Sequence, residues 1–164
     1  MKKTILLFAV IVFSSVRLLS QNTPANDMQH PPNGHVMLNL SDIKWMDAPP
    51  GLPAGAKMAV LSGDPSKTGP FTLRAMFPAN YKVPPHTHPT YENIVVLEGT
   101  LNIGSSETFD ESKTTAINAG GYSAIPPNHP HFVFTKDKTT IQVNGEGPFV
   151  INYINPADDP RNKK

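Results

Sequence analysis

Two histidines and a glutamate stand close together between residues 85 and 92, in the stretch Pro-His-Thr-His-Pro-Thr-Tyr-Glu. His86 and His88 are separated by one residue, and side chains at positions i and i+2 of a β-strand project from the same face. Glu92 has the same parity, so it can join them from the same strand or from the next one. Two neutral imidazoles and a carboxylate are a common ligand set for a divalent transition metal. The spacing therefore predicts a metal site.

A second histidine cluster, the stretch Pro-Pro-Asn-His-Pro-His-Phe that begins at residue 126, offers a fourth ligand. His131 opens a predicted strand. If that strand runs antiparallel to the first motif, His131 lies beside His86 and His88. A proline separates His131 from His129, so we expect His129 to be a solvent-exposed turn residue rather than a ligand.

The elements that must position these side chains are short strands. The 164 residues contain 18 prolines and 11 glycines, which leave little room for long helices. Alternating or β-branched segments such as 71–77, 94–97 and 139–143 indicate roughly eight to ten strands. Hairpins are predicted at residues 98–100 (Glu-Gly-Thr) and 144–147 (Asn-Gly-Glu-Gly). This pattern predicts a single all-β domain, either a sandwich or a barrel.

The first cluster resembles the first metal motif of the cupin superfamily. That motif is Gly, five residues, His-x-His, three residues, Glu, six residues, Gly. His86, His88, Glu92 and Gly99 stand at the matching positions, and Asn80 replaces the leading glycine.

The second cluster resembles the second cupin motif, which is Gly-x5-Pro-x-Gly-x2-His-x3-Asn. Gly120, Pro126 and His131 match it. Asn128 replaces the internal glycine, a change that we expect to be tolerated because asparagine also accepts a left-handed backbone. Thr135 replaces the terminal asparagine, which is not a ligand in the family.

The resemblance implies an all-β, RmlC-like, single-domain cupin β-barrel, a jelly-roll type double-stranded antiparallel β-helix. It implies that His86, His88, Glu92 and His131 bind one divalent transition metal. It also implies a homodimer formed through sheet edges, and Phe132, Phe134 and Val95 would suit an outward face that needs cover. A weaker similarity, carried by Trp45, residues 49–51 and residues 71–74, links the chain to small single-domain cupins and to the cupin half of zinc-binding anti-sigma factors.

The identity of the metal and the reaction stay open. Three imidazoles and a carboxylate suit Fe, Mn, Zn, Ni, Cu or Co. An open coordination position would permit dioxygenase, isomerase or decarboxylase chemistry on a small organic acid or carbonyl compound, and the fold does not choose among these. Alternatives are a non-catalytic, metal-dependent ligand-binding or sensing module, and a scaffold that the metal only stabilises. No catalytic residue is identified.

Polar side chains with a plausible inward parity are candidates to bind a small-molecule substrate. They are Arg74, Tyr91 and Gln142, with Tyr153 as a further possibility. Arg74 stands on an otherwise apolar strand, and its planar fork could hold a carboxylate. The alternative for Arg74 is a surface side chain that lays its alkyl stem on the sheet.

The chain divides into four segments. Residues 1–20 are predicted to be a signal peptide, because Lys2 and Lys3 precede an apolar stretch at 5–13. Residues 21–40 are predicted to form a flexible arm, 41–158 the cupin domain and 159–164 a basic, solvated tail. An uncleaved anchor is the alternative to the signal peptide, but the apolar run is short for a membrane span. We therefore expect a periplasmic or secreted protein that is not attached to the membrane after cleavage.

Charge and cysteine content exclude several functions. Loss of Lys2, Lys3 and Arg17 with the signal peptide changes the formal net charge from +1 to −2. No basic patch then remains for binding nucleic acid. The chain has no cysteine, which excludes disulfides, thiolate metal ligands and a cysteine nucleophile.

Overall fold

Two antiparallel β-sheets pack face to face in the computed structural model, which describes residues 35–163. The six-stranded sheet has the order β1-β2-β3-β10-β5-β8, and the five-stranded sheet has the order β11-β4-β9-β6-β7. The strands are β1 (Met46–Asp47), β2 (Lys57–Ser62), β3 (Gly69–Phe77), β4 (Lys82–Thr87), β5 (Glu92–Glu98), β6 (Thr100–Gly104), β7 (Thr115–Asn118), β8 (Tyr122–Ile125), β9 (His131–Phe134), β10 (Thr139–Gly147) and β11 (Asn152–Tyr153). The predicted all-β fold is confirmed.

The only helices among residues 35–163 are short 3-10 turns. They are Leu40–Asp42, Glu111–Lys113, Pro156–Asp158 and Pro160–Asn162. Within this part of the chain, therefore, no helix has the length and apolar character needed to cross a bilayer.

The core lies between the inner faces of the two sheets. Along β3 every second residue is buried, from Phe71 through Leu73 and Ala75 to Phe77, as the two-residue period of a strand requires. β10 lies between β3 and β5 and adds Ile141 and Val143 to the same layer. The opposite sheet contributes a matching apolar layer, formed by Val83, Leu101 and Val133. The interior of the barrel is consequently apolar along most of its length.

Both predicted hairpins are wrong, because in each case the strands on the two sides of the turn belong to different sheets. β5 lies in the six-stranded sheet and β6 in the five-stranded sheet, so the chain crosses between sheets at Gly99, which has φ +77°. β10 continues without a turn to Gly147, and Gly145 pairs with Phe71 on one side and Glu92 on the other. A Cβ atom at Gly145 would lie 2.9 Å from the Tyr91 carbonyl oxygen. The glycine therefore permits close approach of neighbouring chain segments.

The turns that carry the two motifs use left-handed backbone conformations. Asn80 and Asn128 both have φ +58°, so asparagine takes the conformation that glycine would otherwise supply at each position. The Asn128 N–H donates to the carbonyl of His88 at 2.7 Å. This bond ties the turn before β9 directly to the end of the first motif.

An irregular segment between β6 and β7 covers the outer face of β9. Phe109 from this segment lies 4.6 Å from Phe132 and 6.2 Å from Phe134, measured between ring centroids. Phe132 and Phe134 are therefore buried within one chain. The expectation that these two side chains need cover from a second copy is wrong.

Candidate metal centre

Strand pairing brings the three predicted histidines together inside the barrel. β4 pairs antiparallel with β9 so that His86 stands directly opposite His131, the arrangement expected from the sequence. The ring centroids of His86 and His131 are 4.2 Å apart, and His88 lies 4.9 Å and 5.3 Å from them. Glu92 begins β5 in the opposite sheet and faces the same point. All four side chains are buried.

Each histidine is fixed by a backbone carbonyl at its Nδ1 atom. His86 Nδ1 contacts Pro84 O at 2.7 Å, and His88 Nδ1 contacts Val150 O at 2.8 Å. His131 Nδ1 contacts the carbonyl oxygen two residues before it in the chain at 3.0 Å. A carbonyl only accepts, so this network assigns the Nδ1 proton and leaves Nε2 facing the cluster. Such an orientation is typical of imidazoles that bind a metal through Nε2.

Two of the ring nitrogens that face the cluster lack hydrogen-bond partners among the described residues. Glu92 Oε2 lies 3.4 Å from His88 Nε2 and 3.2 Å from His131 Nε2. Neither contact has hydrogen-bond geometry, so both buried Nε2 atoms are unsatisfied among the described residues. One ligand atom from each histidine lies within 4.8 Å of the others. Buried polar atoms are normally paired, and a cation among three nitrogens and a carboxylate would satisfy this set.

The electrostatics of the cluster favour the protonation states that bind metals. Burial lowers the pKa of His86 to about 3, and the neighbouring His131 and His88 act in the same direction. Burial alone would raise the pKa of Glu92, but its contacts with His131 and His88 outweigh this and hold the pKa below its usual range. At neutral pH the cluster thus contains a carboxylate and a neutral His86 ring. Any proton held between Glu92 and the Nε2 atoms would compete with a metal.

An aromatic residue that the sequence reasoning did not identify packs directly on the cluster. The Phe149 ring stacks on His88 at 4.2 Å between centroids, with 15° between the planes. The next residue, Val150, supplies the carbonyl that fixes His88. Residues 149–154 contain only the two-residue strand β11, and residues 149–151 form a wall of the cavity beside the histidine cluster. No sequence pattern distinguishes this wall from an ordinary strand.

The cluster opens into a cavity of about 320 Å³ that occupies the barrel interior. Apolar side chains from both sheets line it, among them Leu73, Ile94, Leu101 and Val143. This volume is at the small end of the range of ligand sites, roughly 300–1,000 Å³. The arrangement suits a metabolite-sized, mainly apolar ligand.

A loop at residues 49–53 forms one side of the cavity, and two tyrosines hold it in place. The Tyr153 hydroxyl donates to Gly51 O at 2.9 Å, and the Tyr81 hydroxyl donates to Pro53 O. Gly51 and Leu52 line the cavity. Tyr153 lies 5.9 Å from His86, measured between ring centroids, but it does not line the cavity and its hydroxyl is bound to the loop.

The expected inward placement of Arg74, Tyr91 and Gln142 is wrong. Arg74 and Gln142 are partners in the pairing of β3 with β10, and Arg74 Nε donates to Gln142 Oε1 at 3.2 Å. They lie on the face of the sheet opposite to the one that lines the cavity, because the buried alternation of β3 runs through its odd-numbered residues. Tyr91 is 55 % exposed. None of the three lines the cavity.

An arginine from the predicted solvated tail does line the cavity. The tail folds back as two 3-10 turns, and Arg161 Nη2 donates to Ile151 O at 2.8 Å. Asp159 accepts from Arg161 Nε and Nη2 at 2.8 Å each. A basic residue three positions from the end of the sequence gives no local signal of this role.

Comparison with known proteins places the fold. The model of a family described as Domain of unknown function (DUF4437) matches residues 14–152. No curated protein matches the chain. The polyketide cyclase RemF from Streptomyces resistomycificus superposes with a TM-score of 0.62 at 21% identity, over 76% of this chain and 88% of that one.

Two further solved structures have the same architecture. A protein from Methylibium petroleiphilum PM1, proposed to be an acetylacetone dioxygenase, gives a TM-score of 0.61 at 16% identity, over 81% and 90% of the two chains. An RmlC-like cupin from Shewanella frigidimarina NCIMB 400 gives 0.54 at 14% identity, over 70% and 91%. At these identities the likeness establishes the fold alone, which is that of a single-domain cupin β-barrel.

Proposed function

From the premise that the chain belongs to the family described as Domain of unknown function (DUF4437), we propose that it is a metal-dependent cupin. It binds one divalent transition metal through His86, His88, Glu92 and His131 and acts on a small molecule in the adjoining cavity. Fe, Mn, Zn, Ni and Cu all suit this ligand set. The reaction that we propose is of the dioxygenase, isomerase or decarboxylase type, on a small organic acid or carbonyl compound.

One observation carries the proposal: buried ring nitrogens point at the Glu92 carboxylate and have no partner. His88 Nε2 and His131 Nε2 are unsatisfied among the described residues, while their Nδ1 atoms are held by carbonyls. A purely structural cluster of buried histidines would use both ring nitrogens, because each unpaired buried atom costs about 1–3 kcal/mol. A bound cation removes that cost.

The bound metal would supply Lewis-acid polarisation of a substrate oxygen. The chain's own contribution is to position and enclose the substrate. Apolar side chains such as Ile94 and Val143 exclude water from the interior, which strengthens electrostatic interactions there. Phe149 holds the plane of the His88 ring and forms part of the wall that a substrate would contact. These residues favour a substrate with an apolar body and an oxygen-bearing end.

A non-catalytic ligand-binding or sensing module is the second candidate, and one observation favours it. Apart from Arg161 and the four proposed ligands, every described residue that lines the cavity is glycine, proline or a hydrophobic residue. No separate side chain is therefore available in that lining to move a proton. A module of this kind would bind its ligand beside the metal and leave it unchanged.

Metal analysis of the purified protein, followed by ligand screening, tests the proposal. We expect about one divalent metal per chain after reconstitution, and loss of that metal in His88→Ala. Small carboxylates, diketones and phenols are then screened with and without dioxygen. Turnover supports the enzyme, and saturable binding without turnover supports the sensing module. Protein that takes up no metal, or a His88→Ala variant that keeps it, would overturn the metal assignment.

We also propose that the mature protein is periplasmic or secreted and forms a homodimer. The predicted signal peptide (1–20) and most of the predicted arm (21–34) lie outside the described residues. Support for export comes from Lys2, Lys3 and the apolar stretch that follows them. Mass spectrometry of protein from a native-type host should find a chain that begins near Gln21, and light scattering should find twice the chain mass. An uncleaved chain or a monomer would contradict these proposals.

A further inference from the structure

Outside the proposed metal ligands, Arg161 is the one charged side chain among the described residues that line the cavity. The rest of this lining is apolar. Apart from three histidines, the described residues that line the cavity include only two with ionisable side chains, Glu92 and Arg161, and Glu92 belongs to the proposed metal ligands. Arg161 stands at the mouth, where its side chain is 42% exposed. A ligand that enters from solvent would therefore meet the Arg161 guanidinium, ion-paired with Asp159, beside apolar walls.

The guanidinium of Arg161 is held in one orientation and keeps unused donors. Its contacts with Asp159 and with Ile151 O involve Nε and Nη2. A guanidinium has five N–H donors, and the two on Nη1 have no partner among the described residues. The carboxylate of Asp159 fixes the plane of the group through Nε and Nη2, which reduces the entropy lost when a ligand binds at Nη1.

A short segment connects this arginine to the metal cluster. Val150 O contacts His88 Nδ1 at 2.8 Å, and the next carbonyl, that of Ile151, accepts from Arg161 Nη2 at 2.8 Å. Both residues line the cavity. Two consecutive carbonyls thus position the cationic group and the proposed metal ligand along the same wall.

We propose that Arg161 binds the carboxylate of a monocarboxylic acid whose alkyl or aromatic body fills the apolar barrel. The inference rests on the proposed function for the cavity being a ligand site, and it narrows the ligand class to apolar carboxylates. Guanidinium–carboxylate hydrogen bonds are stronger than neutral ones, while the matched uncharged amide can fill the same space without the ionic contact. Charge at one end and an apolar body are thus both recognised.

Paired ligands that differ only in charge test this role. Binding of straight-chain carboxylates from butanoate to decanoate, and of their primary amides, is measured by calorimetry on metal-loaded wild-type protein. We expect at least one carboxylate to bind about tenfold or more tightly than its amide. In Arg161→Gln this preference should fall by about tenfold while the affinity for the amide stays the same. In Arg74→Gln, which changes an arginine on the outer face, the preference should be unchanged.

The outcomes separate a ligand contact from a structural one. If Arg161→Gln weakens the carboxylate and the amide equally, the arginine only anchors the tail and the inference is overturned. If no carboxylate in the series binds, or the preference survives in Arg161→Gln, it is also overturned. Metal content is measured on every sample. Wild-type protein that binds metal but does not prefer carboxylates overturns this inference and leaves the metal assignment standing. A carboxylate preference that depends on Arg161 in protein that binds no metal supports this inference and overturns the metal assignment.

Discussion

A glutamine substitution at His131, compared with the same substitution at His129, tests the metal site with a built-in control. The two positions are two residues apart, but His131 is 1% exposed and faces the cluster, while His129 is exposed in the turn before β9. His131→Gln removes an imidazole nitrogen from the proposed ligand set. His129→Gln leaves in place the backbone carbonyl that accepts from His131 Nδ1. Only the first change should affect metal binding.

The expected size of the effect follows from mass action. A metal at a free concentration 100 times its Kd that binds only the folded state stabilises the protein by about 2.7 kcal/mol. For a chain of this length, that raises Tm by roughly 5–10 °C. Loss of a direct ligand should weaken binding by at least about 100-fold, since changes to residues that merely support ligands already cost 10–100-fold. At the same metal concentration, His131→Gln should then retain only about 0.4 kcal/mol of metal-dependent stabilisation.

Denaturant unfolding with and without each divalent metal measures these values. Each variant is compared with itself, so any packing defect from replacing the buried His131 cancels. The free energy of unfolding gained on adding metal should be the same in wild type and His129→Gln and nearly absent in His131→Gln. Equal gains in the two variants, or loss of the gain in His129→Gln alone, would refute the reasoning.

Three further predictions concern the frame of the site. Gly104→Ala places a Cβ atom 2.1 Å from Cζ of the fully buried Phe132 ring, so the free energy of unfolding measured in urea should fall by about 1–3 kcal/mol. The control is Gly51→Ala, whose Cβ meets nothing within 4 Å and which should change the free energy of unfolding by less than about 0.5 kcal/mol. Asn128 has φ +58°, so Asn128→Gly should be tolerated and Asn128→Val should lose about 1–2 kcal/mol, and equal losses would contradict the strain argument. Burial raises the pKa of Tyr153 to about 12 from 10.0. As pH rises, the unfolded chain therefore loses this proton before the folded protein does. The contribution of Tyr153 to the free energy of unfolding should be complete below pH 10 and decline as pH rises toward 12. Tyr153→Phe should lessen that decline. Because it also removes the hydroxyl bond to Gly51 O, it should lower the free energy of unfolding at pH 8 by about 1 kcal/mol. If stability fell with alkaline pH as steeply in Tyr153→Phe as in the wild type, Tyr153 would not be the titrating group.

Predictions from the sequence were correct where a single strand or a single turn contains the whole pattern. His86 and His88 face the same point because side chains alternate along a strand, and Asn128 takes the left-handed conformation expected at a motif glycine. The alternation of residues 71–77 also predicted the strand β3 correctly. The even-numbered face of β3, which carries Arg74, was assigned wrongly to the ligand site, because the period of two does not by itself tell which face of a strand meets a cavity.

The errors arose where the meaning of a local signal depends on a distant partner. A glycine turn such as that at Gly99 can close a hairpin or pass the chain to the opposite sheet. The choice depends on which strands are already paired with β5, namely β10 and β8. The Asn-Gly pair within β10 likewise stays extended, because both of its edges are hydrogen-bonded to neighbouring strands.

Residue types and spacings were enough to predict the fold class and the chemistry that the protein could hold: an all-β sandwich or barrel with three imidazoles and a carboxylate at strand spacings. Those features depend on residue type and on a two-residue period, which are local properties. The folded structure alone revealed that Phe149 packs on His88 and that Arg161 lines the cavity. These contacts join segments far apart in sequence, and they exist because burying the inner faces of two sheets fixes where the connecting segments and the tail can lie.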